Sequence, residues 1–394
     1  MPDSISVSVQ TESARGASFH EAAATAHYER NNIPFEMVAY PTHQAQIDAL
    51  LGGETQEAVI AVDNTTSGRV GSAISAIRDT NLSAVGVEVH RVNQHKIWVP
   101  GADPMAAEIV KSQRPAIEQC LTSIARDGYQ PVMGQDTFGS VVELREGKGI
   151  IDGLPAVAIA SAAAAELLDM EYDPRPYQDN PQNATKFWIL RNGAPNQTGT
   201  HTALTFEVPD RSGALRDAIG IISVQHGLDL TDIDSHLAPS DTDKRAFFVE
   251  VEHRDADNPE ELVKDLGLQG FSPRVMGTYT PHMPADLSSF DITQTNHTMP
   301  SALKHDEWNG REGLDLPEDA TRLYVETDNR HGALYTVLGH LAQVNIVDMG
   351  RPTVTSGKLF HRGFYFVLDG QTPPELIQDA IGNIKDSQYE VEEV

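Results

Sequence analysis

The chain has 394 residues, and 57 Asp plus Glu against 29 Lys plus Arg give it a formal charge of −28 at pH 7. A surface that acidic repels nucleic-acid backbones and anionic membranes, so neither is expected as a partner. A hydrophobic fraction of 40% is enough for packed cores, the single cysteine Cys120 excludes a disulfide framework and a cysteine-based zinc site, and the length predicts two or three domains at about 150 residues each.

The opening MPDSISVSVQ lacks a basic flank followed by an apolar run, and no stretch reaches about 18 apolar residues. The expectation is a soluble cytoplasmic protein without signal peptide or membrane span. Its acidity reads either as a heavily solvated surface or as the mark of a high-salt source.

In chain order, SISVSVQ (4–10) alternates as a strand, SFHEAAATAHYERN (18–31) is helical, and EAVIAVD (57–63) is an apolar run suited to a parallel sheet covered on both faces. PAIEQCLTSIARDG (115–128) places Ile117, Cys120, Leu121 and Ile124 on one helical face, which makes Cys120 a core residue. LPAVAIASAAAAELL (154–168) reads as a strand running into an Ala-rich helix. Strands alternating with helices over 1–193 predict an α/β architecture.

Residues 198–394 contain an internal repeat. ALTFEVPDRSGALRDAIGIISVQHGLDLTDIDS (203–235) and RLYVETDNRHGALYTVLGHLAQVNIVDMGRP (322–352) each run from a strand through a polar turn into a helix opened by Gly-Ala-Leu. From Gly213 and Gly332 the apolar offsets agree: Ala214, Leu215, Ala218, Ile219 and Ile222 beside Ala333, Leu334, Val337, Leu338 and Leu341. Further strands (RAFFVEVE, RGFYFVLD), proline-led helices (NPEELVKDLG, TPPELIQDAIG) and closing strands (273–280, 389–394) complete β-α-β-β-α-β twice, a ferredoxin-like layout. Residues 283–318 between the copies read as a polar linker.

The repeat resembles two ACT domains, at 198–282 and 319–394, small modules that bind amino acids near this glycine turn. The resemblance implies effector contacts at Gly213, Ala214, Leu215, Asp234 and Ser235 in the first copy and at Gly332, Ala333, Leu334 and Arg351 in the second.

In the first half, Gly16-Ala17-Ser18-Phe19-His20-Glu21-Ala22-Ala23, Asp63-Asn64-Thr65 with Gly68 and Val70, Ser112 with Ala116, Gln119 and Cys120, Ala158-Ile159-Ala160-Ser161 with Ala164, Ala165 and Glu166, and Asn183-Ala184-Thr185-Lys186-Phe187 occur in that order. Together they resemble the prephenate dehydratase family, to which ACT modules are commonly attached. The resemblance implies a two-lobed, periplasmic-binding-protein-like α/β domain over 1–193, with lobes near 1–104 and 105–193 and the active cleft between them.

By that resemblance Thr185, Asn64 and Thr65 are the catalytic candidates. Gly16, Ala17, Ser18, Phe19, Asp63, Ser112, Ser161, Lys186 and Phe187 are the substrate-binding candidates. The chain departs from the family's Glu-Asn-Ser with Asp63-Asn64-Thr65 and from its Thr-Arg-Phe with Thr185-Lys186-Phe187; lysine keeps the charge but loses the planar fork that grips a carboxylate at two points.

The implied activity is a carbon–oxygen lyase of phenylalanine biosynthesis that converts prephenate to phenylpyruvate with loss of CO2 and water. No metal or organic cofactor is needed, phenylalanine is the expected effector, and a homodimer is the expected assembly. Two alternatives stay open: a decarboxylase that leaves the ring non-aromatic, and an inactive sensor of an aromatic amino acid. Dinucleotide, P-loop, zinc-hydrolase and nucleophile-elbow signatures are absent from the sequence.

Overall fold

The computed structural model describes residues 4–11, 16–66, 68–78, 80–209, 211–235, 244–253, 259–284, 287, 320–327, 333–344, 346–350, 363–369, 372–387 and 389–393. Among them, no helix is long and apolar enough to cross a membrane.

The first half contains β1 (Ile5–Gln10), α1 (Phe19–Arg30), β2 (Phe35–Tyr40), α2 (His43–Leu51), β3 (Glu57–Asn64), β4 (Gly68–Arg69), α3 (Gly71–Arg78), β5 (Ser83–Arg91) and β6 (His95–Trp98). It continues through β7 (Ile109–Ser112), α4 (Arg114–Glu118), α5 (Leu121–Asp127), β8 (Gln130–Met133), α6 (Thr137–Glu146), β9 (Ile150–Ile151), β10 (Leu154–Ala160), α7 (Ala162–Leu167), β11 (Glu171–Tyr172) and β12 (Ala184–Arg191). These strands form two sheets, β2-β1-β3-β12-β5 with β4 on β3, and β11-β6-β10-β7-β8 with β9 on β10.

The lobes therefore do not follow the serial split at residue 104. β12 returns to the first sheet, antiparallel to both β3 and β5, while β6 already belongs to the second. The chain crosses between lobes twice, before β6 and again between β11 and β12. The helix expected over 115–128 is also broken: α4 ends before Gln119, and Cys120 has a non-helical φ of −125° ahead of α5. Cys120 keeps its core position.

The second half holds β13 (His201–Pro209), α8 (Ala214–Gly220, continued by a π turn Ile221–Gln225), β14 (Asp229–Asp234), β15 (Lys244–Glu252), α9 (Pro259–Leu268) and β16 (Arg274–Tyr279). The copy contains β17 (Thr321–Glu326), α10 (Ala333–His340), β18 (Ile346–Gly350), β19 (Gly363–Leu368), α11 (Pro374–Asp386) and β20 (Glu390–Glu393). The sheet orders β14-β15-β13-β16 and β18-β19-β17-β20 are the same order twice, so the repeat folds as two βαββαβ units. Every apolar offset counted from the two turn glycines is buried.

The two units pack on each other within one chain. A single apolar cluster joins Leu215, Ile219 and Ile222 to Leu334, Leu338 and Leu341. The edge strands β14 and β18 meet where Ser235 N and Oγ donate to Met349 O at 3.3 and 2.8 Å, which covers two sheet edges that would otherwise stand open.

The first unit also docks on the first lobe. A Cβ at Gly277 in β16 would lie 1.8 Å from Ala84 O of β5, so only glycine permits this approach. The Trp188 and Phe248 rings lie 5.2 Å apart in a cluster shared by both bodies. Met283 and Leu287, at the start of the expected linker, pack with Val89 and Ala184. The rest of that linker, apart from Pro284, lies outside the described residues.

Candidate functional site

β3, parallel to β1 in the first lobe, and β10, parallel to β7 in the second, both end at the junction between the lobes, where Asn64 meets Gln119 and Ser161 meets Ala17; strand carboxyl ends are the usual location of ligands in such sheets. Asn64 ends β3, and Thr185 faces it in register from β12. The two hydrogens of Asn64 Nδ2 are shared among Asn183 Oδ1 at 2.8 Å, Thr185 Oγ1 at 2.9 Å and Ala184 O at 3.1 Å. Asn64 Oδ1 accepts from Thr66 N at 2.8 Å and from Gln119 Nε2 of the second lobe at 3.4 Å.

Thr185 Oγ1 thus receives a hydrogen bond, while its own hydrogen is directed to no described acceptor. The hydroxyl is both fixed and unspent, the state required of a group that must donate to a ligand.

Thr65 differs. Its Oγ1 donates to Gln182 O at 3.1 Å and accepts from Ala184 N at 2.9 Å, so the hydroxyl is committed to holding the start of β12. Ser112 is fully buried and donates to Ile159 O at 2.6 Å. Ser161 donates to Ala17 O at 2.8 Å across the lobes while capping α7 through Ala164 N at 3.2 Å. These three hydroxyls act as structural ties. Ser161→Ala is expected to cost about 1–2 kcal/mol, a lost cap plus an unpaired carbonyl, read as a lower midpoint in urea.

The opening loop is similarly occupied. Gly16, Ala17 and Ser18 donate their N–H groups to Glu21 Oε2 at 2.8, 3.1 and 3.1 Å, and Ser18 Oγ accepts from Glu21 N at 3.1 Å in a capping box. The N–H groups of this expected substrate-binding loop already hold an internal carboxylate. Phe19 packs partly buried against the α1-side core, and Phe187 is buried in it. Asp63 is half-buried beside Asn64 on β3.

Lys186 departs furthest from expectation. Neighbouring residues of a strand face opposite ways, and its ammonium points away from Thr185 into the first βαββαβ unit. Its Nζ lies 2.8 Å from Glu250 Oε2 and 3.8 Å from Asp232 Oδ2, with all three residues buried. Burial alone would raise the Glu250 carboxyl, but the Lys186 charge and hydrogen bonds from Lys186 and Tyr279 outweigh it and hold the carboxyl below its usual value. Lys186 is a bridge between bodies here, not a cleft cation.

Four residues outside the expected site set stand out, two at the junction and two in the first lobe. Asn183 Nδ2 donates to Gln119 Oε1 at 2.9 Å, which ties the lobes together, and both residues stood in the sequence motifs already singled out. His20 lies edge-on to Phe187 at 5.2 Å and 5.5 Å from His43. Burial, with the neighbouring His43 second, lowers His20 to about 3, and burial lowers His43 to about 4. Both imidazoles are therefore neutral at pH 7.

A separate small, partly open groove lies between the two repeat units. It is lined by Gly213, Ala214 and Leu215, by Arg211, Arg216 and Arg245, and by Leu338 and Leu341 of the copy. Gly213 has φ +77°, the left-handed region that favours glycine, and a Cβ there would crowd Ala342 O at 3.2 Å. Asp234 is buried at the end of β14, Ser235 is committed to Met349, and Ala333 and Leu334 pack in the shared core. Gly332 and Arg351 lie outside the described residues.

Residues 15–195 match the family model for prephenate dehydratase. The match spans both lobes except β1 and includes every junction residue described above. A bifunctional N-acyl-homoserine lactone acylase/prephenate dehydratase from Komagataeibacter europaeus is 29% identical over 60% of this chain and 85% of its own length. A prephenate dehydratase from Lactococcus lactis subsp. cremoris is 28% identical over 62% of this chain and 89% of its own. The solved prephenate dehydratase of Arthrobacter aurescens in complex with L-Phe is 19% identical, covers 72% of this chain and 91% of its own, and superposes with a TM-score of 0.57, a likeness of fold.

Proposed function

We propose that the chain is a prephenate dehydratase regulated by an amino acid at tandem ACT domains. The observation that carries this reading is the Thr185 hydroxyl, oriented by Asn64 at 2.9 Å with its hydrogen unspent, inside a dehydratase-type domain. In the reaction the bond from ring carbon to carboxylate breaks, its electron pair enters the ring, and the hydroxyl opposite departs. The hydroxide takes a proton to leave as water, and aromatisation drives the step.

Thr185 donates to the departing oxygen, and the hydrogen bond it receives from Asn64 polarises that donation. Asn64, Asn183 and Gln119 hold the two lobes in one geometry, which lowers the cost of alignment. Prephenate added to the purified protein is expected to give phenylpyruvate, identified by its ultraviolet absorbance and mass. A non-aromatic keto acid would favour the decarboxylase, and no turnover the inactive sensor.

The effector reading draws on the groove between the paired units. Arg211, paired with Asp217 at 2.8 Å, Arg216, bonded to Tyr335 OH at 3.3 Å, and Arg245 give the groove the positive charge a carboxylate would exchange partners for, and the apolar wall of Leu338 and Leu341 suits an aromatic or aliphatic side chain. L-Phenylalanine at a hundredfold excess over its Kd is expected to stabilise the protein by about 2.7 kcal/mol, seen as a raised thermal midpoint. Because two units already pair in one chain, the homodimer expected from sequence would add a second groove rather than complete the first.

The acylase activity in the name of the Komagataeibacter relative finds less support in the side chains. Ser72 Oγ lies 3.0 Å from His43 Nδ1, but burial leaves that imidazole a weak base, and no described group binds its Nε2 to orient it.

A further inference from the structure

We infer that the buried Lys186–Glu250 pair is the link through which effector binding in the repeat units reaches Thr185. This inference rests on the dehydratase reading with amino-acid regulation. Lys186 follows Thr185 directly on β12, so a displacement of its backbone displaces the hydroxyl that Asn64 orients.

The ammonium is held from the opposite side by two adjacent strands of the first unit. Glu250 on β15 binds it at 2.8 Å, and Asp232 on β14 stands 3.8 Å away. Thr231 Oγ1 donates to Glu250 Oε1 at 2.8 Å, which fastens the carboxylate to β14, and Tyr279 OH donates to Glu250 Oε2 at 2.5 Å from β16.

β14 continues past Asp232 to Asp234 and Ser235, where it meets the second unit through Met349. One strand therefore touches the pairing seam of the units at its end and the Lys186 cluster near its middle. A ligand that changes how the units pair moves β14 and β15, and the cluster converts that movement into a shift of β12. Loss of a charge-assisted bond at this point uncouples the two ends without altering either, since neither Glu250 nor Asp232 lines the groove or contacts Asn64 or Thr185. Lys186 and Glu250 are positioning residues in this account; neither touches substrate.

Glu250→Gln is the test, because glutamine can keep the hydrogen bonds to Thr231 and Tyr279 while removing the charge. Tyr279→Phe serves as a control that perturbs the same cluster but retains the ion pair. Prephenate turnover, its inhibition by L-phenylalanine, and L-phenylalanine binding by calorimetry are measured for wild type and both variants.

Expected for Glu250→Gln is turnover within about threefold of wild type without effector, retained phenylalanine binding, and a half-inhibitory concentration raised about tenfold or more, in the usual range of coupling energies. Tyr279→Phe is expected to remain inhibited as wild type is. Inhibition of Glu250→Gln at the wild-type concentration overturns the link. Wild-type turnover that phenylalanine leaves unchanged overturns the regulatory reading and the link with it. Absence of wild-type turnover overturns instead the dehydratase reading.

Discussion

Thr185→Val is expected to lower prephenate turnover by about a hundredfold or more, with the substrate KM changed far less. The substitution keeps the β-branched shape in an interior strand and removes only the hydroxyl. Asn64 Nδ2 retains Asn183 Oδ1 and Ala184 O as acceptors, so its amide is not left unpaired. A fall in kcat without a matching rise in KM is the signature of a bond made chiefly in the transition state. Stopped assays at saturating prephenate, with the thermal midpoint as a check on folding, give the answer. An unchanged kcat would remove Thr185 from the reaction.

Lys186→Met is expected to have the largest effect on stability, about 3–5 kcal/mol, because it strands buried carboxylates without their cation. A cleft-facing lysine would cost far less, so denaturant unfolding separates the two positions directly. The pH dependence has a definite sign. In the wild type the Glu250 carboxyl is held below its ordinary value of 4.5. Its contribution is thus complete above about 4.5 and is lost as pH falls through the depressed folded value.

The groups facing Glu250 are Lys186, Asp232 and Tyr279; its own charge partly offsets the burial that lowers His201. Without the Lys186 charge, burial and Asp232 raise the carboxyl instead. Stability is then lost as pH rises above the ordinary value. The gap between variant and wild type is therefore expected to be widest near pH 7 and to narrow toward pH 4. A gap that is flat with pH would contradict the pairing.

Local chemistry made much of this legible in the sequence. The Gly-Ala-Leu repeat could be read because the same helix face packs on the same kind of sheet twice. Ser18 and Glu21 stand at capping-box spacing, the signal that the opening loop's N–H groups are already engaged.

The features that escaped depend on pairings distant in sequence. Nothing local shows that β12 returns to the first sheet, so the lobes looked serial. Strand alternation does place Lys186 opposite Thr185, but its partner Glu250 is 64 residues away, and only the folded chain brings them together. Thr65, Ser112 and Ser161 carry the residue types a substrate site needs. Their commitment to backbone carbonyls is a property of the packed junction.

The most direct test of the central claim is a crystal structure of the Thr185→Val variant soaked with prephenate, a state in which slow turnover preserves the substrate. The account predicts prephenate bound at the junction of the lobes, its ring hydroxyl directed at position 185 and within hydrogen-bond reach of Asn64. Prephenate bound elsewhere, or an empty junction in a protein whose wild type still makes phenylpyruvate, would contradict it.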